Sequence, residues 1–344
     1  MRGAVTVSAL GLSLLALSGG HEPLQARQGA PAPAAAPAAR ATVAGGGSVT
    51  TGVATSANSR PVMGVPASCP QPANVQPDVF PVTVGTVTSD DGRQWTMPAP
   101  VNDKGPIAVD LYNNCMGTGD NPNYASQLKT VVIDEDGVEI TGFIFADNYF
   151  ELWVNGRFVA RDSIPMTPFN SSVVRFKARY PMTYAIMGVD WETHEGVGLE
   201  YAAYNVGDAG FIAYFSDGNG TRADWRAETF YIAPLDDPSC VRITPAGRDS
   251  TFCTQGVRAT CSQKNEASTC KALHYQIPAD WTAPRFNDSS WPMGIVWRAE
   301  AVTGAAAYTD YTKLFGDAEF IWTRNLRLDN LVLARYTAKG PRKR

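Results

Sequence analysis

Phe145-Ala-Asp-Asn-Tyr-Phe-Glu-Leu-Trp-Val-Asn-Gly-Arg-Phe-Val159 decides the fold class. Two runs of alternating apolar residues flank Asn155-Gly156, and the Asp147-Asn148 pair heads the first of them. Asn-Gly between such runs is a strong hairpin signal, because both residues tolerate the positive φ that a type I′ turn needs. Further short apolar runs extend on both sides: 82–87, 130–133, 139–145, 150–154, 157–160, 172–178, 183–189, 198–204, 210–215, 228–232, 295–298, 318–323 and 330–336 all read as strands. Asp90-Asp91-Gly92, Asp136-Gly137, Asp208-Ala-Gly210 and Asp217-Gly-Asn-Gly220 supply turns between them. No apolar period of 3.6 residues persists for the length of a helix. The expected fold is therefore all-β, an antiparallel β-sandwich or jelly roll, with eight tryptophans available for its core and loop bases.

The flanks have a different character. Arg2, the apolar run Ala4 to Ser18 and the small residues Ser18-Gly19-Gly20 read as a secretory signal over 1–20, with a cut after Ala26 as an alternative. The apolar run is too short for a spanning helix, so no transmembrane segment is expected. Residues 21–61, rich in Ala, Pro, Gly, Ser and Thr, read as a disordered tether. One elaborated domain is expected over 62–336, followed by a basic tail at 337–344. The compartment is secreted, at the cell surface or periplasmic. With 29 basic against 33 acidic residues, the chain has no general attraction for nucleic acid.

Six cysteines, Cys69, Cys115, Cys240, Cys253, Cys261 and Cys270, favour disulfides in an exported chain. The last four lie in a segment, 240–270, with little apolar content, which reads as a crosslinked insert. Fifteen connectivities are open. No pair of these cysteines has the spacing of a zinc site.

Three segments together resemble the galactose-binding-domain-like jelly rolls. They are Ala146-Asp-Asn-Tyr-Phe-Glu-Leu-Trp-Val-Asn-Gly156, Trp281-Thr-Ala-Pro-Arg-Phe-Asn-Asp-Ser-Ser-Trp-Pro292, and Ile321-Trp-Thr-Arg-Asn-Leu-Arg-Leu-Asp-Asn-Leu-Val-Leu-Ala-Arg335. The resemblance spans roughly Val131 to Tyr336 and bears on fold more than on activity. It implies a carbohydrate-binding module, lectin, adhesin or non-catalytic glycosidase domain, with room for a structural Ca²⁺. Asp134-Glu-Asp-Gly137 and Asp217-Gly-Asn-Gly-Thr221 look like fragments of calcium loops, but neither has the full ligand pattern.

The densest polar and aromatic cluster is Asp190-Trp-Glu-Thr-His-Glu195, followed by Glu200. Carboxylates beside tryptophan suit a sugar, whose C–H face stacks on the ring while its hydroxyls donate to the carboxylates. The same residues also read as an exposed loop, as metal ligands or as a glycosidase acid and base pair. Asp147-Asn148, echoed by Asp329-Asn330, reads either as a ligand contact or as a hydrogen-bonded corner. The candidate ligand-binding residues are thus Asp147, Asn148, Asp190, Trp191, Glu192, Glu195 and Glu200. His21, His194 and His274 have no metal-binding spacing, and no nucleophile elbow, phosphate loop or dinucleotide fingerprint occurs. Asn170, Asn219 and Asn287 begin glycosylation sequons. The leading expectation is a non-catalytic protein that binds an extracellular glycan or cell-surface component through loops at one end of the sandwich. A structural or adhesive protein is the alternative, and a polysaccharide hydrolase the third.

Overall fold

Asn155 and Gly156 adopt φ of 50° and 78°, and the strands they join, Tyr149–Val154 and Arg157–Arg161, pair antiparallel as expected. The computed structural model describes residues 43–54, 60–61, 83–102, 104–113, 119–121, 123–163, 171–200, 204–254, 260–262, 267–302 and 306–342. The expected signal segment 1–20, Cys69, Cys115 and Asn170 lie outside them. The chain from Thr42 to Arg344 forms one unit.

Two large sheets make the sandwich. In sheet I the strand order is Ser48–Thr51, Lys271–His274, Arg226–Leu235, Asp329–Ala338, Met182–Val189, Tyr149–Val154 and Arg157–Arg161, antiparallel throughout. In sheet II it is Ile295–Trp297, Phe320–Trp322, Gly210–Phe215, Val138–Asp147, Ser171–Ala178 and Val109–Asp110. Thr130–Val132 runs parallel beside Ser171–Ala178. Between the sheets lies a core that includes Ile144, Phe145, Phe150, Leu152, Phe176, Tyr184, Ile186, Phe211, Phe215 and Trp322.

Sheet I is buried on its other face too. Ala185, Met187, Val189 and Tyr231 pack there with Val84, Val87, Met97, Trp281 and Trp291. The hairpin Thr83–Thr88/Gln94–Met97 and the loop containing Trp281 and Trp291 supply this cover. Burial on both faces explains why all eight residues of Met182–Val189 are buried, where a strand wet on one side would alternate.

Two expected boundaries change, at the tether and at the tail. Ser48–Thr51, inside the expected tether, is an edge strand that pairs with Lys271–His274. That pairing satisfies its backbone, which its own composition gives no reason to order. Of the expected 198–204 run, Leu199–Glu200 is a strand paired with Asn205–Val206, and 201–203 lie outside the described residues. The expected basic tail continues the last strand to Ala338 and then docks, with Arg342 N donating to Asp217 O at 2.8 Å.

The insert is crosslinked, as its cysteines imply. Cys240 pairs with Cys253 and Cys261 with Cys270. It also contributes the hairpin Arg242–Thr244/Gly247–Asp249. A small cluster of Val197, Leu199, Ala267 and Cys270 sits beneath it.

Candidate functional site

Val138–Asp147 belongs to sheet II and Tyr149–Val154 to sheet I, so the chain crosses between the sheets at Asp147-Asn148. The peptide between those two residues is cis. Tyr149 pairs with Val189, and Val189 with Leu331. One residue further along, Asn148, Asp190 and Asn330 therefore stand in a row at the ends of three adjacent strands. Directly opposed residues project to the same face of a sheet, here toward sheet II. The backbone repeats the row: Asn148 N donates to Val189 O at 3.0 Å, and Asp190 N to Asn330 O at 2.9 Å. Asp147 closes the row from the sheet II side. Asp208, two residues before Gly210–Phe215, and Glu200, on the short hairpin, complete a polar pole at this end of the sandwich.

The electrostatics of the pole are dominated by like charges out of water. Burial holds the Asp190 carboxyl well above its ordinary range, and Glu200, Asp147 and Asp208 add to the effect. Burial does the same to Asp147, reinforced by Asp208 and Glu200. Glu200 is pushed up to about 7 by burial and by Asp208. Asp208, though exposed, also rises through partial desolvation, against the pull of Arg327.

The sequence-derived candidates separate into two groups. Asp147, Asn148, Asp190 and Glu200 meet at the pole. Asn148 acts there as a corner, its Oδ1 accepting from Trp191 N at 2.5 Å. Trp191 and Glu192 are structural, which corrects the reading that joined them to a sugar. Trp191 is 0% exposed and packs edge-to-face on Tyr149 at 5.4 Å, so neither ring face is open to a pyranose. Glu192 is buried and accepts from Tyr231 OH at 2.7 Å, from Gly196 N at 2.6 Å and from Gly198 N. It staples its own loop to sheet I. Burial outweighs those bonds and lifts its carboxyl to about 8. Glu195 is buried beside it, and its carbonyl accepts from Ala54 N. The cover over sheet I, distant in sequence, buries what composition suggests is an exposed loop.

The two acidic turns are occupied by protein donors. Asp134 Oδ2 accepts from Arg179 N at 2.9 Å, and Asp136 pairs with the Arg179 guanidinium at 2.5 Å. Asp217 accepts from Tyr180 OH at 2.6 Å and from Asn219 Nδ2 at 2.7 Å. Asp329 likewise accepts from Ser250 Oγ at 2.7 Å and from Thr323 Oγ1. Asn219 is buried, whereas Asn287 is exposed.

A second site is invisible to sequence reading. A cleft of about 380 Å³ is lined by Arg226, Glu228, Arg248, Ser289, Ser290, Trp291, Met293 and Arg324, among others. Two guanidiniums are fixed. Arg226 donates to Trp291 O at 2.5 Å, and Arg248 lies over the rings of Phe230 and Tyr275, 4.5 and 4.0 Å from their centroids. Arg324 is exposed, with no hydrogen-bond or ion-pair partner among the described residues. Glu228 Oε1 receives Arg248 N at 3.2 Å and Thr229 N at 3.0 Å. Three cations thus gather about Glu228 beside two exposed serines, and Arg226 also pairs with Asp288 at 3.7 Å. The Ser289-Ser-Trp-Pro292 run was legible as a motif, but the arginines lie far apart in sequence and only folding gathers them. A larger cavity, about 550 Å³, opens between Ile107, Val109, Val159 and Val173 and is mainly aliphatic.

Among the described residues no helix is long and apolar enough to cross a membrane. No known protein family, curated protein or solved structure matches this chain.

Proposed function

We propose that the protein is an exported, non-catalytic glycan-binding protein, and that an acidic sugar seats in the cleft of Arg226, Arg248 and Arg324. The observation that carries this reading is the convergence of three guanidiniums on a cleft of about 380 Å³ whose only acidic lining residue, among the described residues, is Glu228. A guanidinium presents paired N–H donors to a carboxylate or sulfate, and Ser289 and Ser290 offer hydroxyl partners for ring hydroxyls. The volume suits a small polar ligand. The secretory signal and the disulfide-bonded insert fit an extracellular role, and the resemblance to galactose-binding-like jelly rolls favours a binding module. The mainly aliphatic cavity at Ile107 offers a hydroxyl-rich ligand fewer partners.

Retention of the full chain on immobilised uronate-rich, sulfated and neutral polysaccharides tests the proposal. Retention on an acidic polysaccharide, weakened by salt and by Arg324→Ala without a change in Tm, is expected. Absence of retention on all three, or retention indifferent to Arg324→Ala, would overturn it.

A further inference from the structure

We propose that the pole of the sandwich is a divalent-cation site, taking Ca²⁺ through oxygen atoms of Asp190, Asn330, Asp147, Glu200 and Asp208. The acidic cluster alone would not carry this. Two orphaned oxygens do: Asp190 Oδ1 and Asn330 Oδ1 are both buried and have no hydrogen-bond partner among the described residues. Their residues are 3% and 1% exposed. They belong to opposed positions on neighbouring strands, so their side chains share the same side of sheet I. Asn330 bears no charge, and repulsion among carboxylates does not account for its bare carbonyl oxygen. Leaving such an acceptor unsatisfied out of water is costly, as is leaving a buried carboxylate without a counter-charge; a cation between them answers both.

The backbone around the pair is cut to let it stand there. A Cβ on Gly207 would lie 2.8 Å from Asp190 Oδ2, and one on Gly198 would lie 2.4 Å from Asn330 Nδ2. Glycine at both positions brings the roof of the site down onto these two side chains. Asp147 approaches from sheet II. Glu200, half-buried, and Asp208, exposed, stand at the rim, where rotation is least hindered. Among the described residues no three acidic, histidine or cysteine side chains already stand in ligating positions about one point. Binding is therefore a closure, in which the rim carboxylates swing onto an ion held by the buried pair. Arg327, near Asp208, is the cation that Asp208 leaves on closing.

The donor set selects the metal. All its atoms are carboxylate or amide oxygens, which suit a hard cation. Ca²⁺ accepts six to eight such oxygens in adaptable geometry, whereas Mg²⁺ demands a near-ideal octahedron. Ligands drawn from five separate segments, two of them at the rim, match the former. The site is separate from the arginine cleft and stands or falls without it.

The full chain, stripped with EDTA, is titrated with CaCl₂ by calorimetry and followed by thermal unfolding. One ion per chain and a rise in Tm are expected. The paired substitution Glu200→Gln/Asp208→Asn should weaken binding by about tenfold or more, since affinity follows the charge of the ligand set. Asp134→Asn, in an acidic turn already filled by Arg179, should leave affinity unchanged. Asp190→Asn should abolish binding; should that variant not fold, the rim pair still decides. No saturable Ca²⁺ binding by the wild-type chain, or equal affinity in the rim variant, would overturn the proposal.

Discussion

Arg335 Nε donates to Asp288 Oδ2 at 2.9 Å, joining a strand inside sheet I to the loop that carries Trp281 and Trp291. The Arg335 side chain is 1% exposed. Its other nitrogens reach Trp281 O and Ala283 O, the latter at 3.1 Å, and Phe286 lies 5.1 Å from the guanidinium carbon. One planar group thus satisfies three acceptors of a loop that covers sheet I and floors the arginine cleft. A lysine presents a single ammonium on a flexible stem and does not reproduce the fork. Arg335→Lys is expected to cost about 1–3 kcal/mol, the range for leaving buried hydrogen-bonding groups unsatisfied. Urea unfolding measures it, and a loss below about 1 kcal/mol would mean the clamp is incidental.

How much of this was legible follows from where each determinant resides. The Asn155-Gly156 turn was readable because its positive φ is a property of those two residues alone. Most strands were readable because their apolar runs are local. Ser48–Thr51 was not, since its order comes from pairing with a strand more than two hundred residues away. Trp191 looked like a sugar platform because nothing near it in sequence hints at the buried cluster it joins, which also holds Val84, Val87 and Met97. Glu192 takes its partners from Gly196, Gly198 and Tyr231, and only the last is remote. Of the pole, Asp147, Asp190 and Glu200 were singled out as candidates. Asn330 was noticed only as an echo, and Asp208 only as a turn residue. Strand register, which sequence does not print, is what unites them.

Trp191 offers a clean contrast between a buried anchor and a ligand contact. A ring that stacks on sugar leaves stability nearly unchanged when truncated and removes binding. A ring wholly buried against Tyr149 does the reverse. Trp191→Ala is expected to lower stability by about 3–5 kcal/mol. Trp191→Phe keeps part of the aromatic contact and should lose less, while retaining polysaccharide binding at the arginine cleft. Chemical unfolding and retention assays on both variants separate the cases; full stability with lost binding would return Trp191 to the ligand.

His274 makes the fold sensitive to acid. Its ring is buried in sheet I, stacked on Tyr231 at 5.0 Å and on Trp95 at 5.2 Å, with Nε2 2.8 Å from Thr50 Oγ1. Burial drives its pKa down to about 3, from about 6.5 in an unfolded chain. Between those values the unfolded chain binds the proton more readily, so His274 contributes full stability above about pH 6.5 and loses it as the pH falls toward 3. The buried carboxyls act in the opposite sense. Glu192, raised to about 8, and Asp329, raised to about 7, favour the protonated folded form, and their contribution falls as the pH rises from about 4.5. The wild-type profile mixes both signs, and the difference between two chains isolates one. His274→Gln keeps a partner for Thr50 but does not titrate. The variant should be less stable than wild type at pH 7, with the gap closing steadily as the pH is lowered to 4. Parallel profiles of Tm against pH for the two chains would show that His274 takes up no proton on unfolding.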